Sequence, residues 1–170
     1  GNGSIRPHIY SHNLLQSFSL HLFSKRPVTP LRTTSDFARS LCKRIVLAAL
    51  QIRLNVNARG GDTPAFNFVE TNVVDSSREG CEISSVDLMS EYGTWEEALI
   101  IAIREIKKIG KFGITQSEFL RYSSSVMSNS AQLASQEGQI SHGDQLSYLM
   151  ETISNGHTFM SPMQSYQVTQ

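Results

Sequence analysis

Cysteine is scarce: Cys42 and Cys81 are the two in 170 residues. Two thiols cannot build a disulfide framework, so a packed core must hold the chain, and both read as small buried side chains in a reducing compartment. Long apolar runs are missing too. The longest, among them Ala98–Ile103, have six residues, against about 20 needed to span a bilayer. No charge sign dominates, since fifteen basic residues offset fifteen acidic ones. That balance leaves no electrostatic footprint for nucleic acid or an anionic membrane. The sequence has no CxxC pair, Walker loop, GxGxxG, GxSxG, HxxEH or HxxxEH, which removes the motif-bearing zinc, nucleotide and serine-hydrolase classes. It begins Gly-Asn-Gly without Met and without a secretory n-region and h-region. The expectation is a piece of a longer protein, with any targeting sequence outside it.

What is present suits one domain with a real core: 39% hydrophobic and 18% charged residues. Residues 1–16 are polar, contain Pro7 and read as a lead-in. Phe18, Leu20 and Leu22 alternate with Ser19, His21 and Phe23, which predicts a strand ended by Pro27 and Pro30. Thr34 or Ser35 can cap a long helix with Asp36 in its first turn. Its expected core stripe is Phe37, Leu41, Ile45, Ala48, Ala49, Ile52 and Val56, with Lys43, Arg44 and Arg53 facing away and Gly60-Gly61 as the stop. Segments 65–74 and 81–91 read as antiparallel strands joined by the turn cluster 75–80.

The stretch from Thr94 to Val126 holds two capping-box patterns, Thr94…Glu97 and Thr115…Glu118. Between them, Lys107, Lys108 and Gly110 mark a helix end. Helices are expected at about 95–109 and 116–135, with a third at about 142–155 capped by Ser141 and closed by Gly156. Leu146, Leu149, Met150 and Ile153 form the apolar side of the third, and the tail from Thr158 reads as extended. The fold class is therefore α+β: an antiparallel-containing mixed sheet with helices packed on one face.

Few residues offer chemistry. His8 and His12 have the i, i+4 spacing of a helical metal pair. The segment lacks a helical pattern and a general-base Glu, so it reads as two solvated histidines. His21 reads as a packed or edge residue, His142 as a first-turn residue, and His157 as a partner of a helix end. Cys42 falls where a core residue is expected. Trp95 reads as a core anchor. Arg78-Glu79 in the turn and Arg121-Tyr122 on a helix are candidate contacts for a peptide, against the plainer reading of solvated or packed side chains.

Three segments, KRIVLAALQIRLN, REGCEISSVDL and WEEALIIAIREIKKIGKFGITQSEFLRY, resemble the second, non-metal domain of M16 zinc metallopeptidases. LLQSFSLHLFSKRPV, DSSREGC, GITQSEFLRY and Met150–Thr158 are similar to the plastid branch of that family, and the resemblance runs from Leu14 to Tyr166. It implies residues 1–16 as lead-in and 17–170 as an M16 inactive-type domain. The parent implied is a plastid stromal endopeptidase that removes transit peptides from imported precursors. In that family an HxxEH motif and a distal Glu hold zinc, which brings the pKa of a bound water to about 7. None of those residues exists here, so the resemblance places zinc in a preceding domain of the parent and assigns no metal or catalytic residue to this chain. Some members also supply an Arg and a Tyr to the scissile carbonyl. The strand 81–91 has no Arg, and Tyr92 alone remains. Expected substrate contacts are Arg78, Glu79, Tyr92, Arg121 and Tyr122. Expected partners are other domains of the same peptidase, transit-peptide precursors and a second copy of the isolated domain. The alternatives are a non-peptidase M16-like structural subunit and a stand-alone interaction module.

Overall fold

Alternation of apolar and polar residues builds the sheet. The computed structural model describes residues 17–58, 64–76 and 78–170; the expected lead-in, His8, His12 and Gly60-Gly61 lie outside them. Strands β1 (Phe18–Pro27), β2 (Phe68–Ser76) and β3 (Cys81–Ser90) pair in the order β1-β3-β2, and both pairings are antiparallel. β1 ends at Pro27, as expected. It is an edge strand of the three, where a missing N–H costs the ladder nothing.

Helix α1 (Thr34–Ala58) crosses behind the sheet. Its cap is Thr33, not Thr34 or Ser35. Thr33 Oγ1 accepts from the Asp36 N–H at 3.2 Å, and Asp36 Oδ2 accepts from the Thr33 N–H at 3.1 Å. The Thr33 hydroxyl also donates to Asp36 Oδ2 at 2.8 Å, and this bond, followed by one from the Arg32 N–H, holds the Asp36 carboxyl below its ordinary pKa. The expected core stripe holds only in part. Ile45 and Ala49 are buried, whereas Ile52 and Val56 are exposed. Burial passes to the other side of the helix, where Leu50, Leu54 and Ala58 meet the sheet. A helix wedged between a sheet and another helix has two buried faces, and a single-stripe reading merges them. Cys42 is exposed and Cys81 half-buried, so neither is the buried thiol expected.

Helix α2 (Trp95–Phe112) passes through Lys107, Lys108 and Gly110, which were expected to end it. It stops before Gly113, whose φ of 71° and ψ of −157° suit glycine alone. The Gly113 N–H donates to the Ile109 carbonyl at 2.8 Å. Thr94 makes no side-chain cap; its hydroxyl donates to the Glu91 carbonyl instead. Helix α3 (Gln116–Ser135) carries the full Thr115–Glu118 capping box. A 3-10 turn (Glu137–Gln139) leads to α4 (His142–Ser154), capped by Ser141 as expected. The tail is helical rather than extended: α5 (Pro162–Thr169) has a Ser161–Gln164 capping box with proline at its first position.

The core lies between one sheet face and helices α1 and α2. Val69, Val86 and Leu88 from the sheet meet Leu50 and Leu54 of α1 and Ala98 and Ala102 of α2, with Leu20 and Leu22 packed against them. The alanines let α2 approach closely. A second cluster joins Ile45 and Ala49 to Tyr122 of α3.

Candidate functional site

The register determines what the other sheet face shows. Residues alternate across a strand, so the face opposite the core carries five cross-strand rows: Ser19–Met89–Phe68, His21–Asp87–Glu70, Phe23–Ser85–Asn72, Lys25–Ile83–Val74 and, at the hairpin end, Pro27–Cys81–Ser76; the first four form its open patch. Phe23, Phe68, Val74 and Met89 are exposed there. Adjacent strands lie about 4.8 Å apart and alternate residues about 6.7 Å apart, so the patch measures roughly 10 Å by 20 Å. Its central row is polar. His21 Nδ1 lies 2.7 Å from Asp87 Oδ1, and the Ser85 hydroxyl donates to Asp87 Oδ2 at 2.9 Å. Glu70 stands on the far side of Asp87 and is exposed. At one end, Lys25 pairs with Glu79 of the hairpin turn. That contact raises the Lys25 pKa and lowers that of Glu79. Burial and then Glu79 push the Cys81 thiol up.

The sheet's β2 edge is plugged. Gln51 of α1 sends its amide to the strand backbone: its Nε2 donates to the Val69 carbonyl and its Oε1 accepts from the Thr71 N–H, both at 2.6 Å. The Thr71 hydroxyl donates to the Leu47 carbonyl. Farther along, His157 bridges two segments. Its Nδ1 accepts from the Leu31 N–H at 3.0 Å and its Nε2 lies 2.9 Å from Asp75 Oδ2. A neutral ring with its proton on Nε2 satisfies both partners. Thr158 N–H donates to the Leu31 carbonyl beside it. His157 is thus a clamp between the α4–α5 segment and β2, more than a partner of a helix end.

The expected contact residues do not converge. Arg78 and Glu79 sit in the hairpin turn, while Tyr92 follows the opposite end of β3. Ten residues of strand separate them, roughly 30 Å. Arg121 is exposed on α3, and its neighbour Tyr122 is buried against α1. Tyr92 is 79% exposed. Among the described residues, no group of three His, Cys, Asp or Glu side chains is placed to hold a metal, so zinc finds no ligand set there. An apolar pocket of about 130 Å³ between Leu31, Phe37, Met160 and Val168 is too small for a drug-sized ligand. The open surfaces are a sheet face and a strand edge, which suit an extended or amphipathic chain better than a small molecule. Sequence reasoning missed Gln51 and the His21–Asp87–Glu70 row. Gln51 gives no local signal. The row depends on pairing residues far apart in the chain.

No family model matches the chain. It is 35% identical over 161 residues to the chloroplastic stromal processing peptidase of Pisum sativum, covering 95% of this chain, and 34% identical over the same length to that of Arabidopsis thaliana. That similarity supports the M16 resemblance. It spans about 13% of the length of these curated relatives. The fold agrees. The first half of the periplasmic protease PqqL from Escherichia coli superposes with a TM-score of 0.73 at 15% identity, covering 88% of this chain and 32% of that one. An insulinase family protease from Yersinia pestis superposes with a TM-score of 0.70 at 13% identity, covering 91% of this chain and 33% of that one. At those identities the M16 likeness to solved structures concerns the α+β fold alone.

Proposed function

We propose that this chain is a non-catalytic wall of the substrate chamber in a zinc metalloendopeptidase that removes transit peptides from proteins imported into plastids. The observation that carries the reading is its 35% identity, over 95% of its length, to a stromal processing peptidase, in a sequence without the zinc motif of the M16 family. Zinc and the water-activating Glu would then come from another domain of the same polypeptide, and the site of action would be the plastid stroma. The chain's own work would be to hold substrate. Arg78, Glu79, Tyr92 and Arg121 are exposed and available for that, whereas Tyr122 is buried and supports α3 from within. An extended peptide adding a strand would use the β1 edge, because Gln51 occupies β2.

The test is cleavage of a transit-peptide precursor by the metal-bearing part of the parent, with and without this chain. A rise in kcat/KM on adding the chain is the expected result. No change, with both pieces folded, would overturn the chamber-wall reading and favour a structural M16-like subunit.

A further inference from the structure

We propose that the uncovered sheet face, with the His21–Asp87–Glu70 row at its centre, is a docking surface for a basic, acid-poor amphipathic peptide. The proposal rests on the chamber-wall reading and adds the surface and the chemistry of its occupant. The core side of the sheet is closed by α1 and α2. The opposite side keeps Phe23, Phe68, Val74 and Met89 exposed in a chain that has ample polar residues to place there. Apolar residues collected on one face, around a polar centre, mark an interaction surface rather than scattered exposure.

Charge selects the occupant. Glu70 and Asp87 are cross-strand neighbours in the middle of the face, and like charges set opposite each other are unfavourable without a counter-charge. His21 bonds Asp87 on one side only, leaving Glu70 facing solvent. Lys25, on the same face, is engaged with Glu79. The centre is therefore acidic and its flanks are apolar. Transit peptides have the complementary composition: amphipathic, rich in Arg and Ser, and poor in acidic residues. Scale fits as well. A patch roughly 10 Å by 20 Å matches the width of one helix, about 10–12 Å, and the length of about 13 helical residues.

The experiment is fluorescence anisotropy of a labelled Arg- and Ser-rich amphipathic peptide titrated with the whole chain, at low and at high salt. Four proteins are compared: the native chain, Glu70→Gln with Asp87→Asn, Phe23→Ser with Phe68→Ser, and Lys107→Gln, exposed on α2, as an off-face control. All substituted residues are at the surface or are replaced isosterically, and melting curves verify folding. The acid double variant should bind about 2- to 30-fold more weakly, as loss of two exposed charge pairs implies. Its residual binding should be nearly independent of salt. The Phe variant should also weaken binding, and a peptide with Glu in place of Arg should not bind. Binding that is equal in all four proteins would overturn the face while leaving the chamber-wall reading intact. No binding by the native chain would overturn the proposal, and the cleavage assay then judges the wider reading separately. A dimer dissolved by Phe23→Ser with Phe68→Ser, without peptide binding, would overturn it in favour of a second copy.

Discussion

Glu118 caps the first turn of α3 and also receives the Arg53 guanidinium of α1, whose Nε and Nη2 each lie 2.7 Å from a carboxylate oxygen. Arg53, and then the Thr115 bonds, hold its pKa at about 2, from an ordinary 4.5. A carboxyl whose folded pKa is lowered stabilises the fold above its unfolded pKa, and that contribution is lost as pH falls through the folded value. The shift corresponds to on the order of 3 kcal/mol. Melting curves should therefore drop between pH 4.5 and 2, and Glu118→Gln should flatten that fall while lowering stability at pH 7. A variant with an unchanged acid limb would place the effect elsewhere. Two glycines give a sharper contrast. Gly110 lies inside α2 with open space where a Cβ would sit, so Gly110→Ala should stabilise by roughly 0.5–1 kcal/mol. Gly113→Ala meets no neighbour either, but its backbone lies where only glycine is at ease. It should destabilise by on the order of 1–3 kcal/mol, and urea titrations of both variants would read the opposite signs. The sequence pointed to the wrong glycine because Lys107 and Lys108 imitate a helix end, whereas the stop depends on dihedral angles that composition does not encode.

Strands and helices were legible wherever periodicity and capping agreed. β1, β2, β3 and the starts of α3 and α4 follow from alternation, Thr115…Glu118 and Ser141. α5 carries its own signature, Ser161-Pro162…Gln164, but a polar tail masks it because the apolar stripe is weak. What no local pattern carries is the side of each element that another element will use. Gln51 is the clearest case. It lies on α1 among core positions, yet its amide serves the backbone of β2 at the edge where a further strand would add. Such an edge is an aggregation hazard unless covered. Gln51→Ala would leave a part-buried N–H and carbonyl without partners, at a cost of about 1–3 kcal/mol. The variant should show a lower urea midpoint and faster growth of thioflavin-positive aggregate than Leu54→Ala matched to the same stability. Equal aggregation at equal stability would mean that Gln51 holds the strand without protecting its edge.

At the scale of the molecule, α4 is inside out. Thr152 is its buried residue at 4% exposure, while Leu146, Met150 and Ile153 are 60%, 58% and 65% exposed. Those three and Leu149 follow an i, i+3, i+4, i+7 stripe, so the side chains best suited to a core point to water. A thirteen-residue helix is marginal by itself. Its caps at Ser141 and Asn155 and the His157 clamp fix it in place without covering that stripe. A chain spanning about 13% of its relatives' length presents here a surface that a longer polypeptide has material to cover. In the isolated chain, the stripe should meet another copy. Sedimentation velocity should show the average mass rising with concentration, and Leu146→Gln with Ile153→Gln should suppress the rise. The pair should cost within about 0.5 kcal/mol of stability, since both side chains are already exposed. If self-association persists in this variant but yields to Phe23→Ser with Phe68→Ser, the contact belongs to the sheet face. The α4 stripe would then carry no self-association.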